Sequence, residues 1–200
     1  GDTCMTILPN GVAVIDGDTH HGAWCAEQGL VHDKWFAGEI TKHLKPGDVV
    51  IEGGANIGTL TGAMLDAGAK VYAFEPNREA MECLVRNTSG AIYMPNALSD
   101  SRAKVEIVRL ENAGASFVSG PCELGRSACH AKDDVLAITI DSLPIPSVSL
   151  IKLDIEGYEL KALRGGEEAI RRCRPVMFIE VNSGALERAG DTEDALLAFI

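Results

Sequence analysis

The chain has 200 residues, 46% hydrophobic and 24% charged, which is the composition of one globular domain large enough to bury a core. Its formal net charge of −11 argues against nucleic acid as a partner, because binding to phosphate backbones requires a basic surface. No apolar run approaches the ~20 residues of a membrane span, so we expect no membrane partner either.

The first part of the chain, residues 1–45, is expected to form an N-terminal segment followed by one helix. The stretch HDKWFAGEITKHLKPG has the periodicity of an amphipathic helix. We expect its buried side to contain Trp35, Phe36, Ile40 and Leu44. The same region holds His20, His21, His32 and Asp33, which we interpret as surface or capping residues. As an alternative, one of them serves as a base at the mouth of a crevice.

From Asp48 onward, apolar strands alternate with helical periodicity. The predicted strands are DVVIE, KVYAFEP, VSLIKLDIEG and PVMFIEVN, and AIYMPNAL is expected to be a further strand or extended segment. The predicted helices are GTLTGAMLDAG, NREAMECLVRN capped by Asn77, a helix from about 158 to 174 that is weak at Gly165–Gly166, and a last helix over 191–200. This alternation predicts an α/β domain over residues 46–200, with a doubly wound, mainly parallel sheet and helices on both faces.

The middle of the chain has a different pattern. AKVEIVRL and VLAITIDSL alternate like paired antiparallel strands, which predicts a β-hairpin-like insertion around residues 104–140. Between them, residues 111–134 are rich in Gly, Ser and Ala. Because this segment is longer than an ordinary connection, we expect a loop that serves as a lid or binding segment.

The stretch VVIEGGANIG is the clearest site motif. Gly53 and Gly54 permit a sharp turn and close backbone approach, and Gly58 allows tight helix packing. The next predicted strand ends in Glu75, close to the ~20-residue separation at which an acidic residue meets ribose hydroxyls. In open α/β sheets, ligands bind beyond the carboxyl ends of the strands. The loop therefore predicts a ligand that contains adenosine.

The charge at the carboxyl ends of the strands distinguishes between a dinucleotide and S-adenosylmethionine as the ligand. Glu52 stands at the loop entrance, and Asp154 and Glu156 follow a later strand. Carboxylates would repel the pyrophosphate of a dinucleotide, which favours bare amides at a helix N-terminus. They suit S-adenosylmethionine, which has an adenosine and a sulfonium charge. An NAD-dependent oxidoreductase and a non-catalytic nucleotide-binding module remain the alternatives.

Five motifs carry a family resemblance: VVIEGGANIG, VYAFEPN, NALSD, IKLDIEGYELKALRGG and RPVMFIEVN. Their order and spacing resemble FkbM-type methyltransferases over about residues 46–182. The resemblance implies a class I, Rossmann-like enzyme that uses S-adenosylmethionine to methylate hydroxyl groups of small molecules or sugars. Two features depart from the family. The family more often has Asp at the position of Glu52, and class I domains normally end with two further strands, so we expect a compact domain or one that lacks them.

The resemblance also implies roles for individual residues. The methionine part of the cofactor would be held by Glu52, Gly53, Gly54, Ala55, Asn56 and Gly58. Glu75 would bind the ribose hydroxyls. Pro76 and Asn77 would line the adenine side, and Asn96 and Ala97 would lie near the adenine edge. Asp154 and Glu156 would face the sulfonium and the acceptor.

Methyl transfer to a hydroxyl needs alignment and a group that takes the hydroxyl proton. We expect Asp154 to be this base or an acceptor anchor; the alternative is that it only binds loop amides. Glu156 either joins it or caps the helix near Tyr158, a residue that could contact the acceptor or belong to the core. Lys152 is interpreted as structural, paired with a carboxylate. No metal is expected, although Asp154 with Glu180 and Asn182 would be an alternative magnesium site.

The cellular location and the oligomeric state are predicted from weaker signals. The six cysteines show no metal-ligand spacing, and Cys83 and Cys173 fall on predicted helices, so we expect free thiols and a cytoplasmic location. A sheet edge left open by missing strands would favour a homo-oligomer.

Overall fold

The structure is a computed structural model that describes residues 5–31, 33–110, 116–119 and 129–200. The strands are β1 Met5–Ile7, β2 Ala13–Ile15, β3 Val49–Gly53, β4 Lys70–Phe74, β5 Ile92–Met94, β6 Ala97–Leu98, β7 Ala103–Leu110, β8 Ser116–Ser119, β9 Cys129–Ile138, β10 Leu150–Leu153 and β11 Val176–Ile179. The helices are α1 Thr19–Gln28, α2 Lys34–Thr41, α3 Thr61–Asp66, α4 Arg78–Asn87, α5 Glu159–Arg164, α6 Glu167–Cys173, α7 Ser183–Arg188 and α8 Glu193–Phe199, with a 3₁₀ turn at Ile140–Ser142.

The central sheet has five parallel strands in the order β11-β10-β3-β4-β5. Within this sheet the chain passes first through β3 and then outward through β4 and β5. It later returns to the other side of β3 as β10. The order therefore reverses between β3 and β10, which is the switch point where open α/β sheets bind ligands. The predicted α/β fold with a parallel sheet is confirmed.

Alternate residues of the central strands face opposite layers of helices. Ile51 and Ile151 belong to a core cluster that includes Leu160 and Leu163 of α5. Val50 belongs to the cluster on the other face, together with residues of α2, α3 and α4. Strands buried on both faces appear in the sequence as continuous apolar runs, which is why they were predictable. Among the described residues, no helix is long and apolar enough to cross a membrane.

The insertion forms a second sheet in the order β6-β9-β7-β8, and the predicted antiparallel pairing of β7 with β9 is confirmed. Two details of the prediction were wrong. AIYMPNAL, expected as one strand or extended segment, divides at Pro95–Asn96 into β5 and β6, which belong to different sheets. The expected loop 111–134 contains β8 and the start of β9; residues 111–115 and 120–128 lie outside the described residues, so the proposed lid lies largely there.

The helix prediction was correct in most places. Asn77 caps α4, because its side chain accepts a hydrogen bond from the Glu79 amide at 3.0 Å. The predicted weak point separates α5 from α6, and Gly165 is required there because a Cβ would lie 2.0 Å from the Ser99 carbonyl oxygen. On α2, Ile40 is buried, but Trp35 is 75% exposed, so its predicted burial was wrong.

The N-terminal elements were not predicted, except for α2. β1 and β2 pair antiparallel, and the cluster around them includes Cys25 of α1 and Ile57 of the glycine loop. Asp33 caps α2 by accepting from the Phe36 amide, as its capping interpretation requires. His32 and the side chains of His20 and His21 lie outside the described residues, so their alternative as a base stays a prediction.

Candidate cofactor and acceptor site

The loops that follow β3 and β10 meet at the switch point. The Asp154 amide donates to the Gly53 carbonyl at 3.2 Å. Gly54 has φ +74°, and a Cβ at this position would lie 1.8 Å from the Asp154 carbonyl oxygen. Only glycine fits here, because any side chain would force the two loops apart. The glycine pair of the motif therefore joins the predicted cofactor loop to the predicted catalytic loop.

The rest of the glycine loop is held by its neighbours. Ala55 is buried, and Asn56 adopts φ +49°, an uncommon conformation for a residue other than glycine. Gly58 has φ +97°, and a Cβ there would lie 2.8 Å from the Thr88 methyl and 3.0 Å from Leu84. Gly58 thus permits close packing against α4 rather than against the helix that directly follows it.

Glu75 connects the loop to the next strand tip. Its Oε2 accepts from the Asn56 amide at 2.9 Å and its Oε1 accepts from the Asn77 amide at 2.8 Å. The residue is 6% exposed, and burial raises its pKa to about 7, while the two amide bonds oppose the shift. Each carboxylate oxygen has a second lone pair, so Glu75 can accept further hydrogen bonds from a ligand. Asn77 is buried beside it, and Pro76 is half-buried.

Glu52 lies in β3, and its side chain reaches the start of α3. Its Oε2 accepts from the hydroxyl of Thr61, the first residue of α3, at 2.6 Å. Both side chains are buried, and burial raises the pKa of Glu52. A carboxyl group therefore stands at the helix start where a dinucleotide fold would receive a pyrophosphate.

Lys152 and Asp154 extend the site across the sheet. Lys152 lies opposite Glu52 in the parallel register of β10 and β3. Its Nζ donates to the Gly54 carbonyl at 3.0 Å and lies 3.5 Å from Asp154 Oδ2. The Lys152 side chain is 5% exposed, whereas that of Asp154 is 48% exposed. The predicted carboxylate partner of Lys152 is thus confirmed, and Asp154 remains open to an acceptor.

More carboxyl groups surround Asp154. Glu180, which follows β11, has its pKa raised to about 7 by burial and by the charges of Asp154 and Glu156. Glu156 has φ +56°, its pKa is raised mainly by burial, and Arg188 Nη2 lies 3.9 Å from its carboxylate. The tips of β10 and β11 therefore bring together three acidic side chains.

Sequence reasoning missed Glu159, which holds the loop after β10. Its Oε1 accepts from the Ile155 amide at 2.8 Å and the Gly157 amide at 3.2 Å. The alternative that Glu156 caps α5 was wrong, because Tyr158 precedes α5 without a side-chain cap. The alternative that Asp154 only binds loop amides stays a prediction. The signal was a carboxylate at the first position of a helix, next to a glycine turn.

The remaining predicted residues have mainly structural contacts. Asn96 donates to the Leu136 carbonyl of β9 at 3.0 Å, and Ala97 is buried in β6, which pairs with β9, so both contact the second sheet. Tyr158 packs with Ala97 in the insertion's core cluster. Asn182 caps α7, and within the described ranges no three acidic, His or Cys side chains form a metal-binding group. The alternative magnesium site of Asp154, Glu180 and Asn182 contains an amide and is not such a group, so it stays a prediction.

The carboxyl groups with raised pKa values make stability depend on pH. Burial raises the pKa of Glu52, Glu75, Glu156, Glu159 and Glu180. A carboxyl group whose pKa is higher in the folded than in the unfolded protein contributes its full stability at pH values below the unfolded pKa. This contribution is lost as the pH rises through the folded pKa; for Glu75 the pH window runs from 4.5 to about 7. We expect the free energy of unfolding, measured with urea, to be lower at pH 8 than at pH 6, by about 1 kcal/mol from Glu75 alone. Equal stability at both pH values would contradict the prediction, and Glu75→Gln is the variant that should reduce the difference.

Three comparisons with known proteins agree with this geometry. Residues 52–200 match the family model described as the Methyltransferase FkbM domain. The hexuronic acid methyltransferase AglP of Haloferax volcanii is 25% identical over 146 residues, covering 68% of this chain and 57% of that protein. The crystal structure of methyltransferase FkbM from Methylobacillus flagellatus KT superposes with a TM-score of 0.53 at 19% identity, covering 78% of this chain and 38% of that one.

These relatives differ in what they establish. The chain spans little more than half the length of the curated relative and less of the solved one. The crystal structure supports the fold alone. The family model spans three quarters of the sequence and includes both the glycine loop and the loop after β10. The resemblance inferred from the five motifs is confirmed: the chain belongs to the FkbM methyltransferase family.

Proposed function

We propose that the protein is an S-adenosylmethionine-dependent methyltransferase. The observation that carries this proposal is the buried Glu52 carboxyl group at the start of α3, 2.6 Å from the Thr61 hydroxyl. A dinucleotide would have to place its pyrophosphate against this acidic group. A cofactor with a sulfonium, an ammonium group and no phosphate meets no such repulsion. The family membership supports the same ligand.

The glycine loop and Glu75 fit the two ends of this cofactor. Glu52 and the loop from Gly53 to Gly58 would hold the methionine part. Glu75 would accept hydrogen bonds from the ribose hydroxyls, with Pro76 and Asn77 beside the adenine. Its position between two loop amides fixes the carboxylate orientation before a ligand arrives, which reduces the entropy lost on binding.

In the proposed reaction the cofactor supplies a methyl group on a positively charged sulfur, and the chain supplies alignment and proton removal. Asp154 would orient the acceptor hydroxyl and accept its proton. The exposure of Asp154 supports this role, since an acceptor can reach it. Glu156 would assist at the same strand tip, where its charge and that of Glu180 favour a positively charged donor.

We propose a sugar or other small-molecule hydroxyl as the acceptor. Clustered carboxylates are strong hydrogen-bond acceptors for hydroxyl groups, and AglP is named for its action on a hexuronic acid. The free thiols of Cys25, Cys83 and Cys173 suit the proposed cytoplasmic location. A homo-oligomer would use the outer edge of β11, the last strand of the described central sheet.

The proposal is tested by titrating the purified protein with S-adenosylhomocysteine and, separately, with NAD in a calorimeter. We expect saturable binding of S-adenosylhomocysteine and no heat from NAD. Binding of NAD alone would favour an oxidoreductase and overturn the proposal. Binding of S-adenosylhomocysteine without methyl transfer to any of a panel of sugars and uronic acids would favour a non-catalytic module.

A further inference from the structure

Lys152 is a buried cation inside the proposed cofactor crevice. It lies on β10, an inner strand of the central sheet that pairs with β3, and its side chain is 5% exposed. Burying an ammonium group is costly unless partners compensate for the lost water. A lysine that served only to fill the core could be replaced by an apolar residue at a gain in stability. Its contacts therefore need a functional explanation.

These contacts join the two loops of the site. Lys152 Nζ donates to the carbonyl of Gly54, in the glycine loop, at 3.0 Å. The same atom lies 3.5 Å from Oδ2 of Asp154, in the loop after β10. One ammonium group thus fixes the distance between the cofactor loop and the proposed base.

The same charge acts on the buried acids. Lys152 lowers the pKa values of Glu52 and Glu75, opposing the burial that raises both. The other groups that influence Glu52 are Thr61 and Asp154, and those that influence Glu75 are Glu52 and the amides of Asn56 and Asn77. Lys152 is a cation that acts on both acids.

We propose that Lys152 is a positioning residue whose ammonium group ties the glycine loop to Asp154, from a position on β10 directly opposite Glu52 on β3. Its importance for a cofactor rests on the proposed function, because only a cationic donor with ribose hydroxyls needs both acids ionised. Lys152 acts through these neighbours and need not touch the cofactor. This goes beyond the purely structural interpretation of Lys152 as the partner of one carboxylate.

Lys161 provides a matched control. Its Nζ also binds one carbonyl oxygen, that of Ala189, and one aspartate, Asp191 at 2.8 Å, and its side chain is 20% exposed. Lys161→Met removes a partly buried ion pair on α5, and Lys161 does not influence the pKa of Glu52 or Glu75. Lys152→Met removes both charge and donor, and Lys152→Gln keeps a donor for Gly54 without the charge.

The test first follows glutamate carboxyl signals by NMR in the ligand-free protein, using isotope-labelled glutamate and assigning signals with Glu52→Gln and Glu75→Gln. In Lys152→Met and Lys152→Gln we expect the pKa of Glu75 to rise by about one unit from about 7, and that of Glu52 to rise as well. Lys161→Met should leave both unchanged. Unchanged pKa values in a folded Lys152 variant would overturn the inference, and the glutamine variant serves if the methionine variant does not fold.

The second readout is the pH dependence of S-adenosylhomocysteine binding. The pH below which binding weakens should rise by about one unit in both Lys152 variants, which lowers affinity at pH 7 up to about tenfold. It should not move in Lys161→Met, even if that variant is less stable. Failure of the wild type to bind S-adenosylhomocysteine, with the NMR shifts present, would overturn the proposed function and leave the electrostatic role of Lys152 standing.

Discussion

Replacing Glu75 with alanine is expected to weaken S-adenosylhomocysteine binding by on the order of a hundredfold, measured by calorimetry at pH 8. The change would remove the two charge-assisted hydrogen bonds that we propose Glu75 makes to ribose hydroxyls. At about 1.5 kcal/mol each, the lower end of the usual range, their loss corresponds to about a hundredfold. It also releases the amides of Asn56 and Asn77, so the glycine loop loses its attachment to the tip of β4. Both effects act in the same direction.

A deoxyribose analogue separates the two effects. The wild type should bind the 2′-deoxy analogue of S-adenosylhomocysteine more weakly than the parent compound, whereas Glu75→Ala should bind both with similar affinity. Glu82→Ala is the control, because Glu82 lies on the neighbouring helix α4 and pairs with Arg78 at the surface. Near wild-type affinity in Glu75→Ala would mean that Glu75 supports the loop and does not contact the ligand.

The sequence was sufficient to predict the strands that carry this site. Val50 and Ile51 face different helix layers, so β3 is apolar at successive positions and is readily recognised as a buried parallel strand. The glycine loop was predictable for a related reason, because a position such as Gly54 cannot carry a side chain and so leaves a trace in the sequence. A glycine that cannot be replaced and a strand that is buried on both faces each leave a pattern in neighbouring residues. Such local patterns can be identified from the sequence.

Features that depend on tertiary partners could not be predicted in this way. Trp35 satisfies the helical periodicity of α2, but what lies opposite it is decided by the rest of the fold, and it is left exposed. Glu159 was overlooked because its role depends on two amides that turn towards it only when the loop after β10 is folded. The influence of Lys152, on β10, on the pKa of Glu75, which follows β4, joins residues far apart in the sequence, and no characteristic sequence spacing indicates it.

Replacing Asp154 with asparagine is expected to reduce turnover by about 10²–10⁴-fold while changing S-adenosylhomocysteine affinity about threefold or less. Asparagine keeps the shape of the side chain but cannot take a proton from the acceptor. The measurement is methyl transfer to glucuronic acid, galacturonic acid and neutral sugars, followed by mass spectrometry. Asp66→Asn, at the exposed end of α3, is the control for loss of one surface carboxylate.

If Asp154→Asn retains turnover, the dependence of turnover on pH identifies the base. The charge of Asp154 helps to raise the pKa of Glu180 to about 7, so Asp154→Asn should lower the pKa of Glu180. An active Asp154→Asn enzyme whose acidic limb moves to lower pH would therefore assign proton removal to Glu180, and Glu180→Gln would then abolish turnover. An inactive Asp154→Asn with nearly normal activity in Glu180→Gln would assign it to Asp154. Because Asp154 affects the titration of Glu180, only the pair of variants, measured across pH, separates the two roles.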